Sequence, residues 1–134
     1  MLSNLILNLS KIKTGSIYKK SSVSIYNFNK VFITIIKILY KQGFIKSFLI
    51  FDSKTDSCKT YVNILINNSS ITNKNLLCSL KWISKPSLSI ELGYKDLCRL
   101  KRKNIFYLFF TSKGFLDLDS CLKNKVGGKL LFII

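Results

Sequence analysis

The apolar positions of this chain recur with a period that changes along its length, and each change marks an element. Leu5, Leu9 and Ile12 follow the four- and three-residue spacing of one helical face. Ser3 or Asn4 can cap that first helix. Lys11 and Lys13 stand near its C-terminal end, where cations suit the dipole, and Gly15 is placed to stop it. Residues 23–26 read as a short strand. The clearest helical stripe follows: Val31, Phe32, Ile35, Ile36 and Leu39, opened by Asn27 or Asn29 and ended by Gly43. Residues 44–51 form a strand rich in β-formers, residues 52–57 a turn, and residues 58–67 a second, alternating strand.

Residues 67–75 are polar and rich in Asn and Ser, which marks a linker. Beyond it residues 76–84 read as a strand broken by Pro86, with another short strand at 88–90. Residues 94–104 are basic and read as loop plus a helical turn. Residues 105–111 are a strong β-forming run, Ser112-Lys113-Gly114 a turn, and Asp117 the N-cap of a short helix to Asn124. Gly127-Gly128 makes a tight turn into a last strand over 129–134. The expected fold is α+β in two small lobes. The N-terminal lobe, residues 1–68, is α-β-α-β-β; the C-terminal lobe, residues 76–134, is mostly antiparallel β with one short helix.

Charge adds what the pattern leaves open. The 134 residues are 48% apolar, enough to form a core, yet 22 lysines and arginines face only six acids. A formal +16 on a compact chain repels itself, so a polyanionic partner is expected. Nucleic acid is the first candidate and an anionic membrane the second. A bilayer-spanning helix needs about 20 mostly apolar residues in a row. The longest apolar stretches, 31–36 and 105–110, are soon closed by Lys37 and by Thr111 to Lys113. The first acid is Asp52, which gives the N-terminus the composition of a transit peptide, but its helical periodicity reads as part of the fold.

Catalytic chemistry finds no support. The chain has no histidine, the commonest general base. Asp117 and Asp119, the closest carboxylates, are explained by capping and by the helix dipole. Cys58, Cys78, Cys98 and Cys121 lie about twenty residues apart with no Cys-x-x-Cys pair, so reduced thiols are expected and no metal site. No phosphate-binding glycine loop is present, and neither cofactor nor small-molecule substrate is expected. The sharpest local feature is Thr111-Ser112-Lys113-Gly114. Two hydroxyls, a cation and a glycine suit ribose hydroxyls, phosphates and base edges of RNA, although the four residues alone fit an ordinary polar hairpin turn better.

The order of these landmarks resembles the bacterial-type small ribosomal subunit protein eight family. Five segments carry the resemblance across almost the whole chain: Lys11-Ile12-Lys13-Thr14-Gly15, Gly43-Phe44-Ile45, Ile83-Ser84-Lys85-Pro86-Ser87-Leu88, Thr111-Ser112-Lys113-Gly114 and Val126-Gly127-Gly128-Lys129. It implies a two-lobed protein that binds the central domain of small-subunit rRNA directly, early in assembly, at an irregular stem. In that family the Thr-Ser-Lys-Gly turn enters the minor groove and basic helix ends of the first lobe touch adjacent RNA. The expected RNA-binding residues are therefore Thr111, Ser112, Lys113 and Gly114, with Lys11, Lys13, Lys30, Lys85 and Lys129. The chain departs from the pattern at Phe110, Ser87, Ser89, Glu91 and Leu118-Asp119, so contacts at residues 89–91 are not carried over. Neighbouring small-subunit proteins are expected as partners. The absence of alanine and the abundance of Asn, Lys, Ile and Phe match an AT-rich genome. They point to a mitochondrial ribosome, with a plastid one second.

Overall fold

The first apolar stripe is realised as α1 (Leu2–Ile17) and the second as α2 (Lys30–Lys41) in a computed structural model that describes residues 2–52, 60–67, 76–85, 87–101 and 104–134. Most of the expected linker, the expected turn after Asp52, and Cys58, Pro86, Arg102 and Lys103 lie outside the described residues. The chain divides into two compact units, Met1–Cys78 and Ser79–Ile134.

In the first unit Leu5, Leu9 and Ile12 of α1 and Phe32, Ile35, Ile36 and Leu39 of α2 are buried against a three-stranded antiparallel sheet. Its strands are β1 (Ser22–Tyr26), β2 (Ile45–Phe51) and β3 (Tyr61–Ile66), in the order β1-β3-β2. The register places Ile25 opposite Val62 and Phe48 opposite Ile64, so alternate residues form one covered face, beyond whose edge Ile50, also opposite Val62, stays exposed. The other face carries the row Tyr26, Tyr61 and Phe51, with Phe51 stacked on Tyr61 at 4.9 Å. This is the expected arrangement of adjacent strands under the Val31–Leu39 stripe.

One glycine does a different job from the one its position suggests. Gly15 does not end α1, which continues to Ile17, so Lys11 and Lys13 lie within the helix and its last turn holds no cation. Lys19 takes the left-handed position instead, at φ 54, with its N–H donating to Ser16 O at 3.0 Å and the Lys20 N–H to Gly15 O at 2.9 Å. Gly15 is needed because a Cβ there would run into the Val23 side chain. Gly43, at φ +83, does close α2 in the expected way.

The second unit is built on a five-stranded antiparallel sheet with the order β4-β8-β6-β7, in which β5 also pairs with β8. The strands are β4 (Lys81–Trp82), β5 (Ile90–Leu92), β6 (Tyr107–Thr111), β7 (Gly114–Asp117) and β8 (Gly128–Ile133). Residues 76–84 are expected as a strand, but Leu76–Ser79 is a 3-10 turn and only β4 pairs. Lys81 already faces Ile133, the last residue of β8, so the pairing of β4 with β8 starts there. The strand expected at 88–90 moves to β5, because Lys85 and Leu88 first bond each other at 2.9 and 3.1 Å.

Two helices lie against this sheet, α3 (Tyr94–Leu100) and α4 (Leu118–Asn124). The sequence gives α3 only as a helical turn. One leucine, Leu97, anchors it in a core with Tyr107, Phe109, Leu118, Cys121 and Leu130, too little periodicity to read. Asp117 takes the N-cap position of α4, as expected. The tight turn before β8 falls on Lys125, at φ 53, and not on the glycine pair. A Cβ on Gly127 would meet Leu92 O at 2.6 Å, and one on Gly128 would meet Phe110 O at 2.7 Å. The pair lets three backbones converge.

Candidate nucleic-acid interface

Strands β6 and β7 pair with Thr111 opposite Gly114, which leaves Ser112 and Lys113 as the loop. Gly114 has φ +97 while neither loop residue has a positive φ, the pattern of a type I turn closed by a left-handed glycine. A Cβ on Gly114 would meet nothing within 4 Å, so the glycine answers to the backbone angle and the space above it is open.

Thr111 shapes this turn from inside. It is buried, and its hydroxyl donates to Gly114 O at 3.0 Å while accepting from the Lys113 N–H at 3.1 Å. The sequence offers that hydroxyl to a ligand; the structure engages it within the turn. Ser112 and Lys113 are exposed. Lys113 Nζ reaches Asn124 Oδ1 at 3.4 Å, and Asn124 is fixed in turn by donating to Ser120 O at 2.8 Å. The exposed chemistry of the turn is thus the Ser112 hydroxyl, the Lys113 ammonium and the open face of Gly114.

Lys129 lies beside this hairpin, opposite Phe110 on one side and Glu91 on the other. Lys85 does not join it. It is exposed in the Lys85–Leu88 turn, on the side of β8 away from β6 and β7. That turn is pinned by buried Ser84, whose hydroxyl donates to Leu130 O and accepts from the Ile90 N–H at 3.4 Å. Phe110 is a residue the motif reading set aside. It is half exposed and packs on Phe115 at 5.0 Å, which puts an aromatic surface next to the turn.

In the first unit Lys11 is exposed and Lys13 half-buried on α1, and Lys30 opens α2. The first turn of α2 holds no acid, so Lys30 sits at the positive end of the dipole, where a cation costs about 0.3–1 kcal/mol. An anion bound there offsets that cost. Sequence reasoning missed Tyr18, whose ring stands 72% exposed at the end of α1 beside an open groove. An aromatic residue between a glycine and two lysines was the signal available.

Other chemistry is sparse. Among the described residues Cys78, Cys98 and Cys121 are free thiols, and no group of three potential ligands could hold a metal. Burial pushes the Cys121 thiol up to about 11, helped by the nearby Asp117 carboxylate. No helix among the described residues is long and apolar enough to cross a membrane. The stripe of α2 that a membrane surface would need is spent on the core.

The family model described as ribosomal protein S8 matches residues 4–134. The chain is 30% identical over 135 residues to small ribosomal subunit protein uS8c of Bigelowiella natans, covering 100% of this chain and 99% of that one. It is 32% identical over 136 residues to uS8m of Acanthamoeba castellanii, covering 100% and 98%. To uS8 of Nautilia profundicola it is 27% identical over 136 residues, covering 98% and 97%.

Proposed function

Because the chain belongs to the ribosomal protein S8 family, we propose that it binds the central domain of small-subunit rRNA and supports assembly of a mitochondrial small subunit. It is a structural constituent of the ribosome and not an enzyme. The observation that carries the RNA reading is the Thr111–Gly114 turn. Its shape is fixed by an internal hydroxyl before any ligand arrives, and Ser112, Lys113 and the open face of Gly114 point outward. A narrow turn of this kind suits the wide, shallow minor groove of RNA.

In this reading the lobe of residues 76–134 makes the specific contact, with Lys85 and Lys129 on phosphates. The lobe of residues 1–68 adds electrostatic contacts through Lys11, Lys13 and Lys30. Neighbouring small-subunit proteins complete the surroundings. The mitochondrial assignment is supported by the AT-biased residue usage and by the similarity to the uS8m protein; the uS8c relatives make a plastid the alternative.

Co-sedimentation tests the reading directly. Tagged protein is expected to travel with mitochondrial small subunits through a gradient and not to float with anionic liposomes. Flotation without co-sedimentation would reject the ribosomal reading, and co-sedimentation with plastid subunits would move the compartment.

A further inference from the structure

We propose that the groove between α1 and the outer edge of β1 takes an unpaired RNA nucleotide, with its base on Tyr18 and Leu7 and its phosphates on Lys11 and Lys20. The inference rests on the reading of this chain as an rRNA-binding protein and concerns a contact separate from the Thr111–Gly114 turn. The groove holds about 550 Å³, which lies within the usual range of small-ligand sites. β1 is an outer strand of its sheet, so no further strand covers that edge among the described residues.

What lines the groove selects the ligand. Leu7 and Tyr18 remain 56% and 72% exposed, two apolar surfaces at one mouth. Tyr18 is anchored by its backbone, with its N–H on Thr14 O at 3.0 Å and the αL residue Lys19 directly after it, while its ring is free. Ser10 and Thr14 spend their hydroxyls on helix carbonyls at 2.7 and 2.9 Å. Ser22 and Ser24 present exposed hydroxyls from β1, suited to a ribose or a base edge. The lining contains two lysines and no acid, and the chain has no acid before Asp52. That charge favours a polyanion over an extended peptide added to the strand edge. An aromatic face flanked by cations is how single-stranded nucleic acid is held: bases stack and lysines follow the backbone.

The test uses the full chain, a short oligoadenylate, a short oligouridylate carrying 4-thiouridine, and a fully paired stem from the small-subunit rRNA. Tyr18→Ala is expected to weaken oligoadenylate binding about tenfold and leave binding of the paired stem unchanged. Tyr18→Phe is expected to recover most of the loss, and Tyr40→Ala, at an exposed tyrosine outside the groove, to cause none. Photocrosslinking of the thiouridine probe is expected to mark the peptide that contains Tyr18. The proposal is overturned if Tyr18→Ala and Lys20→Ala both bind oligoadenylate like wild type. It is also overturned if an acidic extended peptide displaces oligoadenylate from the groove while outcompeting it in affinity, which would make the edge of β1 a protein site. Failure of the wild-type protein to bind a small-subunit rRNA fragment that contains the irregular central-domain stem would instead sink the rRNA reading itself.

Discussion

The two units carry nearly equal charge and organise it in opposite ways. Met1–Cys78 holds eleven cations and two acids, and Ser79–Ile134 eleven cations and four acids, or +9 and +7 of the total +16. In the first unit both acids come at or after Asp52, so α1, α2 and β2 carry lysines and no acid, and an open groove beside α1 and β1 is lined by two of the unit's lysines. In the second unit acids sit among the cations. Arg99 meets Asp96 at 3.9 Å, an exposed pair worth little, and Glu91 faces Lys129 across the sheet. What distinguishes the second unit is shape: a turn braced from within and strands brought close by glycines. A diffuse positive field attracts RNA of any sequence and weakens with salt, whereas a braced turn contributes by fit. In the proposed reading, attraction falls mainly to the first unit and recognition to the second.

The largest test concerns the glycines. Gly128→Ala pushes a Cβ into the Phe110 carbonyl, which is backbone and cannot step aside, and is expected to cost about 3 kcal/mol in a denaturant melt. Gly15→Ala collides with the Val23 side chain and touches Ile66 at ordinary contact distance, so its smaller loss should be largely restored by adding Val23→Ala. If the Gly15 variant is the more damaging and resists that rescue, the second unit is not the more constrained of the two.

Thiol labelling compares the units in one sample. Cys121 is fully buried and its thiol is held near 11, so at about pH 8 it should alkylate on the order of a hundredfold more slowly than exposed Cys98. Half-buried Cys78 reports on the first unit. Because the fold keeps Cys121 protonated, its contribution to stability is intact below the ordinary thiol value of 9.0. It is lost as pH rises towards about 11. Rapid labelling of Cys121 in the native protein would contradict a closed second core.

For RNA, Ser112→Ala is expected to lose about 1–3 kcal/mol of affinity at both low and high salt, measured on one rRNA fragment. Lys11→Ala or Lys13→Ala should lose less, and mainly at low salt. If about six cations neutralise phosphates, log K falls against log salt with a slope of about −5, and each lysine removed takes about one unit from it. Equal salt dependence for the serine and lysine variants would dissolve the division of labour. The smallest effect expected is a gain: Lys125→Gly relieves a left-handed residue and should raise stability by up to about 1 kcal/mol, seen as a modest rise in Tm.

The sequence by itself determined the elements whose signal is local. The Val31–Leu39 stripe, the alternation in residues 58–67 and the β-forming run before Thr111 are periodic enough to declare helix or strand, and α2, β3 and β6 lie where those signals fall. The glycines that close α2 and the Thr111–Gly114 turn were legible for the same reason. Only the tertiary structure decided where pairing begins and ends. Residues 76–80 have strand-forming side chains, yet Leu76–Ser79 coils as a 3-10 turn and pairing starts only at Lys81, opposite the last residue of β8. Leu97 makes α3 a helix by entering a core assembled from residues further along the chain. The glycines at 15, 127 and 128 read as turn signals because a sequence shows which residue lacks a Cβ and not what would collide with one. Thr111 is the same case in the site. Its hydroxyl is visible in the sequence, but whether it faces a ligand or its own turn depends on the position of Gly114 O, which the pairing of β6 with β7 sets.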